Sequence, residues 1–280
     1  MAVRALPDSK TKTAERLGLS RSALYYQPRL PFKDQLLKSD IERVIMRHRA
    51  YGHRRIAMEL GINKKRVLRI MKLFNLKVLR RRKKPKKPKD LNQEPAVIPN
   101  LLWQRAVGAP NVIWASDFTY LPYFGKFTYL ATVEDVFTRK IVGWAMSSRH
   151  NTELVALALI DAAISNPLPE AIHSDQGSEY RDKRYLNLLK SLNIQPSMSA
   201  KSSPWQNGYQ ESFYAGFKLE LGHPEIYDNL GELVEAVAGQ IYYYNHLRIH
   251  SALKCPPEIF NLRISNNKLR KKEITLRQNV

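Results

Sequence analysis

The stretch IHSDQGSEY, residues 172–180, indicates a strand that ends at a carboxylate. Ala171 and Ile172 form an apolar lead into it, and Gly177 allows a sharp turn just after Asp175. A carboxylate in that position points out of a buried strand into a cleft. An aspartate at a strand end is more often only a turn or cap residue, so Asp175 alone does not indicate chemistry.

A second stretch, SPWQNGYQESFYAGFKLE at residues 203–220, predicts a helix that carries another carboxylate, Glu211. The Ser-Pro pair at its start is typical of a helix N-terminus. A third carboxylate, Asp117, lies on the strand predicted within VIWASDFTY at 112–120. Carboxylate oxygens are the ligands that Mg²⁺ and Mn²⁺ prefer. Two such ions, about 3.5–4 Å apart, can act on both the attacking and the leaving oxygen of a phosphoryl transfer.

These segments resemble the signature of the DDE transposases and retroviral integrases, and especially of the OrfB-type transposases of bacterial insertion sequences. The matching residues are WASDFTY, HSDQGSEY and NGYQESFYAGFKLE, with 35 residues between Asp175 and Glu211. The resemblance extends from about residue 10 to about residue 262. It implies that Asp117, Asp175 and Glu211 are catalytic residues that bind two Mg²⁺ ions, for which Mn²⁺ can substitute.

The resemblance also implies a reaction and partners. The expected reaction is cleavage of DNA strands at the ends of a mobile element, followed by joining to target DNA, by a homo-oligomer assembled on DNA. Members of this family often act as fusions to the product of an upstream reading frame, which is therefore a further candidate partner. Two alternatives stay open: a DNA-binding regulator on an inactive core, and a ribonuclease H-like nuclease that cuts without joining.

The charge of the chain favours a polyanionic partner and is unevenly distributed. The 280 residues contain 46 Lys and Arg against 25 Asp and Glu, which gives a net charge of +21. Residues 1–100 carry +19, residues 101–262 carry −3, and the remaining tail carries +5. We therefore expect nucleic-acid affinity mainly in the first third of the chain, with the acidic site in the middle.

Cysteine and hydropathy limit the other classes of function. Cys255 is the only cysteine, so the chain cannot form an intrachain disulfide. His246 and His250 lie near it, but a fourth zinc ligand is missing. No apolar run is long enough to span a membrane, and no signal peptide is evident. We expect a cytoplasmic, nucleoid-associated protein with no membrane partner.

Four segments follow from the changes in composition and pattern. The predicted order is a helical helix-turn-helix DNA-binding region at 1–79, a basic proline-rich linker at 80–100, a ribonuclease H-like catalytic core at 101–262, and a basic tail at 263–280. The linker is expected to be extended and mobile, since its prolines and basic block cannot build a core. The tail is expected to be disordered.

Within the first segment, residues 9–26 read as helix, turn, helix, although an ordinary helical hairpin fits too. Further on, Asp40 is a candidate N-cap, Gly61 ends a helix, and Asn63 caps the next one, which has a basic outer face. Such a face is more often merely solvated, but the net charge of this third favours DNA. The DNA-binding candidates are Arg21, Arg54, Arg55, Lys64, Lys65, Arg69, Lys218 and Arg248.

The catalytic segment shows the element order βββαβαβα, with a helix predicted over 181–192. That order is typical of the ribonuclease H-like α/β fold, a mixed five-stranded sheet flanked by helices, in which the first and fourth strands are adjacent. Lys218, seven residues after Glu211, shares its helical face and is interpreted as a phosphate contact. Arg248 lies in the pattern YN--R-H--L---P---F that closes this family's core, and the resemblance implies packing and a DNA contact there.

Overall fold

A five-stranded sheet forms the centre of the molecule. The computed structural model describes residues 14–18, 20, 30–80, 98–200 and 203–266. The strands are β1 (Ile113–Tyr123), β2 (Lys126–Asp135), β3 (Ile141–Ser147), β4 (Ala171–Ser174) and β5 (Gln195–Met198). Their order across the sheet is β3-β2-β1-β4-β5. β1, β2 and β3 are antiparallel neighbours, whereas β4 is parallel to both β1 and β5. The predicted ribonuclease H-like α/β fold is confirmed.

Helices precede the sheet and cover both of its faces. They are α1 (Leu30–Arg47), α2 (His53–Glu59), α3 (Lys64–Leu73), α4 (Leu101–Gln104), α5 (Thr152–Ser165), α6 (Ser178–Arg181), α7 (Lys183–Ser191), α8 (Gly208–Leu221), α9 (Leu230–His246) and α10 (257–266). The structure places α5, α6 and α7 over one apolar core and α8 with α9 over a second core on the opposite face. The residues that the structure describes include no helix long and apolar enough to cross a membrane.

The β1–β2 hairpin shows how local sequence sets the sheet. The two strands are joined by Phe124 and Gly125, whose φ angles are 43° and 71°. Positive φ at both loop positions matches the right-handed twist of a two-residue hairpin, and glycine adopts it without strain. The tight turn brings Tyr123 opposite Lys126 and fixes the register along the whole of β1.

The helical region before the sheet packs directly on the catalytic core. The buried cluster formed by α1, α2 and α3 includes Ile249, which follows α9. The backbone N–H of Ile249 donates to the Tyr51 hydroxyl at 2.6 Å, and His48 Nδ1 lies 2.8 Å from the Tyr243 hydroxyl. The two regions are therefore held together by buried contacts as well as by the connecting chain.

Several local expectations change in the structure. Asp40 is not an N-cap, because α1 begins at Leu30 and continues past it to Arg47. The helix predicted over 181–192 is interrupted at Asp182, whose side chain caps α7 by accepting the Arg184 N–H. The predicted boundary at 262 falls inside α10, which continues to residue 266.

The structure describes only part of the beginning of the first segment, of the linker and of the tail. Residues 14–16 are helical, Ala14 is buried, and Gly18 has a φ of 63°, as expected of a glycine that ends a helix. Apart from residues 14–18 and 20, the predicted unit at 9–26 lies outside the described residues, and so do most of the linker and of the tail. At the end of the linker, Ile98 packs against the core instead of being extended into solvent.

Glu134, on β2, is an unusual buried group. Its side chain is 1% exposed, and its Oε2 atom has no hydrogen-bond partner within the described chain. Burial, and to a smaller degree the charge of Asp135, raises the pKa of Glu134 to about 8, while Arg139 opposes that rise. Glu134 is therefore mainly protonated at neutral pH in the folded protein.

The buried Glu134 predicts a pH-dependent stability. The pKa of Glu134 in the folded protein lies above its unfolded value near 4.5. Its contribution to the free energy of unfolding is therefore fully present below pH 4.5 and is lost progressively as the pH rises from there through about 8. Glu134→Gln should abolish this loss. Relative to the parent protein, its free energy of unfolding should rise between pH 5 and pH 9 by at most about 4 kcal/mol. Denaturant unfolding at both pH values measures the difference, and an equal difference at the two values would contradict burial of a protonated carboxyl.

Candidate active site

The pairing of β1 with β4 places two aspartates side by side. In the parallel register, Ala115 of β1 lies opposite His173 of β4. Asp117 and Asp175 each follow two residues after that pair, so both side chains point to the same face of the sheet. Neighbouring strands lie about 4.8 Å apart, so the two carboxylates lie next to each other where β4 ends beside β1. The predicted positions, on β1 and just past β4, are confirmed.

Helix α8 brings Glu211 to the same edge through two buried side chains. The Gln210 side-chain amide donates to the backbone oxygen of Ala115 at 2.7 Å. One turn later, the Tyr214 hydroxyl donates to the backbone oxygen of Asp117, also at 2.7 Å. These bonds fix the rotation of α8 against β1. Glu211, in the first turn of α8, is exposed beside them.

The charges of the two other carboxylates act on Asp117. Burial and, to a smaller degree, the charges of Asp175 and Glu211 raise the pKa of Asp117 to about 7, while the Phe118 N–H and the Lys218 ammonium oppose the rise. Partial burial raises the pKa of the Asp175 carboxyl too. The Gly177 N–H, which donates to its Oδ1 at 2.9 Å, opposes that rise. The site therefore concentrates negative charge, which the Lys218 ammonium offsets only in part.

The donor atoms at this edge suit a hard divalent cation. Asp117, Asp175 and Glu211 offer only carboxylate oxygens, which Mg²⁺ and Mn²⁺ prefer, and a cation would relieve their repulsion. Within the described ranges, no three His, Cys, Asp or Glu side chains are already close enough together to form a metal site. The charge of Glu211 raises the pKa of Asp117, so the two carboxylates are near each other. The three side chains are nevertheless not close enough together to be preassembled as metal ligands.

His173 is held away from a ligand role. It is fully buried, and its Nδ1 lies 2.9 Å from the Ser197 hydroxyl of the neighbouring strand β5. Burial lowers the pKa of His173 to about 4, so the ring is neutral at physiological pH. The side chain connects β4 to β5 and supports the strand that ends at Asp175.

A fourth carboxylate, Glu179, lies beside the site and was not singled out from the sequence. It is buried on α6, its Oε1 lies 2.9 Å from His150 Nδ1, and its charge raises the pKa of Asp175. The signal for it was its place four residues after Asp175 in the first quoted stretch. Gln210 and Tyr214 were also missed as positioning residues, although their i, i+4 spacing on either side of Glu211 places them on one helical face.

Lys218 faces the acidic edge as the sequence indicated. Its ammonium lies 4.5 Å from the centre of the Tyr120 ring on β1, and its charge lowers the pKa of Asp117. The helix therefore presents a cation next to the carboxylates, two turns beyond Glu211.

The other candidate DNA contacts differ in accessibility. Arg54, Lys64 and Lys65 are exposed, and Arg21 lies outside the described residues. Arg69 forms a two-pronged ion pair with Asp34 at 2.5 and 2.8 Å, which joins α3 to α1.

Two of the predicted contacts are not on an open surface. Arg248 is 8% exposed and pairs with Glu220 at 3.1 Å. Arg55 is half-buried against Tyr51. Both arginines line a cavity at the junction of the helical region and the core.

Comparison with known proteins agrees with this geometry. Two models described as "Integrase core domain" match residues 108–204 and 192–257. The transposase of insertion sequence element IS904 from Lactococcus lactis is 39% identical over 241 residues, covering 80% of this chain and 94% of the relative. The chain belongs to the family of insertion-sequence transposases. A putative transposase of element IS150 from Escherichia coli is 33% identical over 250 residues, covering 84% of this chain and 87% of the relative.

Membership of this family decides the class of reaction. The transposase is a polynucleotidyl transferase with an integrase core, and it catalyses DNA strand cleavage and strand transfer. The relatives favour this interpretation over a nuclease that cuts without joining. Among solved structures, the HTLV-2 integrase catalytic core domain in complex with magnesium aligns with a TM-score of 0.44 and 18% identity, covering 56% of this chain and 99% of that one. The family assignment rests on the sequence relatives alone.

Proposed function

We propose that Asp117, Asp175 and Glu211 are the catalytic residues of this transposase and hold two Mg²⁺ ions, for which Mn²⁺ can substitute. The observation that carries the proposal is the common offset of Asp117 and Asp175 from the paired residues Ala115 and His173 on adjacent strands. When bound, the cations supply activation of the attacking oxygen and stabilisation of the leaving oxygen.

The chain itself supplies position and charge. Two rigid strands hold the aspartates, while Gln210 and Tyr214 set the rotation of the helix that carries Glu211. The pKa of Asp117 is about 7, so below that pH its carboxyl carries a proton that a bound cation would displace. Glu211 lies on the exposed rim and joins the two aspartates when cation and DNA are present.

DNA is the proposed partner, both as element ends and as target. Arg54, Lys64 and Lys65 present an exposed basic surface on α2 and α3, which is suited to phosphate contacts that position DNA. Arg21 belongs to the same proposal from its sequence position. Arg69 and Arg248 already have carboxylate partners, so their DNA contacts remain predictions. A homo-oligomer on DNA and an upstream-frame product are the further proposed partners.

Metal removal tests the proposed reaction. We expect the full chain to join a 3′-OH-ended element DNA to target DNA in Mg²⁺, and joining should disappear in EDTA and return when Mg²⁺ or Mn²⁺ is added in excess. The readout is the joined DNA product on a denaturing gel. Joining that continues at the same rate in EDTA would contradict the proposal, and cleavage without joining would support a nuclease.

Lys218 should contribute to DNA engagement at the acidic edge. Lysine makes a point-charge contact with phosphate, so Lys218→Ala should weaken binding of the element end and slow joining by about five- to tenfold. Lys218→Arg should keep much of the activity because the positive charge remains. The loss should be smaller at high salt, where phosphate contacts are screened.

Strand transfer at two salt concentrations measures the effect of Lys218, with thermal melting as a fold control. Lys126→Ala is a matched control, since Lys126 is exposed at the β1–β2 hairpin. Parent-like joining by Lys218→Ala at both salt concentrations would show that Lys218 is only a solvated helix residue.

A further inference from the structure

A cavity of about 650 Å³ lies between the helical region and the catalytic core. Its walls come from α2, α4 and α8, from the end of β2 and the turn after it, and from the end of α9 with the segment that follows. Arg55, Arg139 and Arg248 line it from three separate parts of the chain, together with Glu134 and His250. The α8 residues that line it, such as Tyr209 and Gly216, differ from those that face the acidic edge.

The cavity carries an excess of positive charge. The pKa of His250 is lowered to about 4 by burial and by the charges of all three arginines. The positive charges of the three arginines therefore all act on this one side chain of the cavity. Arg248 has a carboxylate partner, Glu220, at 3.1 Å. Glu134 is fully buried, and burial raises its pKa to about 8, so at neutral pH it is mainly uncharged and does not balance the other two arginines.

Polar atoms without partners are concentrated in the residues of this cavity. Nine buried side-chain nitrogen or oxygen atoms of the described chain have no hydrogen-bond partner, although one of them, Glu258 Oε2, forms an ion pair with Lys140 at 2.7 Å. Four of the nine belong to residues that line the cavity. These four are Arg55 Nε, Arg139 Nη1, Glu134 Oε2 and His250 Nδ1. Buried polar groups are nearly always satisfied, so such a concentration indicates a ligand.

The arginines are held in place without a ligand. Arg139 has a φ of 64°, a left-handed conformation that is strained for a residue with a side chain. Asp135 stabilises that turn, because its backbone oxygen accepts the Arg139 N–H at 2.8 Å and its Oδ1 accepts the Thr138 N–H at 2.6 Å. The Arg139 guanidinium stacks 3.9 Å from the centre of the Tyr209 ring.

Arg248 also depends on its surroundings. A Cβ atom at Gly216 would lie 3.1 Å from Arg248 Nη2, so the glycine on α8 leaves room for this guanidinium. Strained or closely fitted side chains of this kind are typical of binding sites, where the surrounding structure keeps them prepared.

We propose that this cavity binds a phosphate group through Arg55, Arg139 and Arg248. Guanidinium groups donate paired hydrogen bonds that match phosphate oxygens, and three of them approach from different sides. A protonated Glu134 can donate one more hydrogen bond to the same anion. The cavity is larger than phosphate alone, so the phosphate belongs to a DNA backbone or to a free nucleotide. Only the DNA source rests on the proposed function, whereas the phosphate site does not.

The first experiment uses inorganic phosphate and the full-length protein without DNA or divalent cation. At constant ionic strength, phosphate should bind saturably by calorimetry and raise the melting temperature of the parent more than chloride does. Arg139→Gln should bind phosphate about tenfold more weakly, since it removes one charge-assisted donor. Arg139→Lys should fall between the two. Arg184→Gln, which removes an equal charge from an exposed arginine outside the cavity, should bind like the parent.

Two results would overturn the site. One is a parent protein that phosphate stabilises no more than chloride does, and the other is an equal loss of affinity in Arg139→Gln and Arg184→Gln. Melting in chloride shows whether Arg139→Gln folds. If it does not, Arg55→Gln replaces it, with the same expected loss and the same contradiction.

The second experiment distinguishes the sources of the phosphate. If a DNA phosphate occupies the cavity, saturating phosphate should weaken binding of an element-end duplex to the parent severalfold at constant ionic strength, but not to Arg139→Gln. If a free nucleotide occupies it, a nucleoside monophosphate should bind more tightly than phosphate while DNA binding stays unchanged. A chain that binds phosphate but never joins DNA would leave the site standing and refute the proposed function.

Discussion

Asp175→Asn is expected to reduce strand transfer by at least roughly a thousandfold, which corresponds to about 4 kcal/mol of transition-state stabilisation. Asparagine keeps the size of the side chain but removes the negative charge that a divalent cation requires. Asp117→Asn and Glu211→Gln should cause losses of the same order, because the negative charges of all three carboxylates act at one site. Joining of a 3′-OH-ended element DNA in Mg²⁺ measures each loss.

These variants should still fold and bind DNA. None of the three carboxylates is needed to hold the sheet together, and the proposed DNA-binding surface lies on α2 and α3. Thermal melting and binding of element-end DNA provide the controls. Asp228→Asn, an equal change at an exposed aspartate near α9, should join at the parent rate. Substantial joining by Asp175→Asn would refute the assignment of the catalytic residues.

Gly143→Ala is expected to destabilise the protein by about 3 kcal/mol or more. A Cβ atom at Gly143 would lie 2.5 Å from the Ala158 backbone oxygen and 2.6 Å from Ala162 Cβ, and still closer to the Ala162 backbone nitrogen. These atoms belong to α5, whose backbone rests on β3 at this point. The methyl group can be accommodated only if the helix moves away from the sheet, which opens the core.

A second glycine offers a matched control with the opposite sign. Gly239 lies inside α9, and a Cβ atom there would meet nothing within 4 Å. Gly239→Ala should therefore stabilise the protein by about 0.5–1 kcal/mol, because alanine loses less conformational freedom in a helix. Denaturant unfolding of both variants measures the contrast. Equal stability of Gly143→Ala and the parent would mean that α5 does not lie closely on β3.

Much of the core could be predicted because the signals are local. The alternating pattern around Asp117 and the Gly177 turn after Asp175 mark the strand and the strand end without knowledge of the fold. Asn63 caps α3 as the sequence indicated, because its side-chain oxygen accepts the Lys65 N–H. The family that the sequence resembles has its first and fourth strands side by side, and this strand order predicted that the two aspartates are adjacent.

Errors arose where two local signals compete. Asp40 has the chemistry of an N-cap, but the apolar side chains of Leu37, Ile41 and Val44 continue through it at helical spacing, and their burial decides the helix. At Asp182 the reverse holds, because a capping side chain interrupts a segment whose residues could all be helical. Propensity and packing have to be compared to resolve such cases.

The cavity could not be predicted from the sequence at all. Arg55, Arg139 and Arg248 are far apart along the chain. Arg55 and Arg248 were separate DNA-binding candidates, and Arg139 was not singled out. Their convergence depends on packing of the helical region against the segment after α9, which no local pattern encodes. The left-handed conformation of Arg139 is likewise a tertiary property, since arginine carries no signal for it.

Counting the divalent cations held by the chain tests the central claim most directly. Electron paramagnetic resonance can measure Mn²⁺ bound to the full-length protein in complex with element-end DNA. We expect two Mn²⁺ ions per active site in the parent complex and a loss of tightly bound Mn²⁺ in Asp175→Asn at equal DNA occupancy. An Asp175→Asn complex that holds as much Mn²⁺ as the parent, with the same affinity, would contradict a cation site built from Asp117, Asp175 and Glu211.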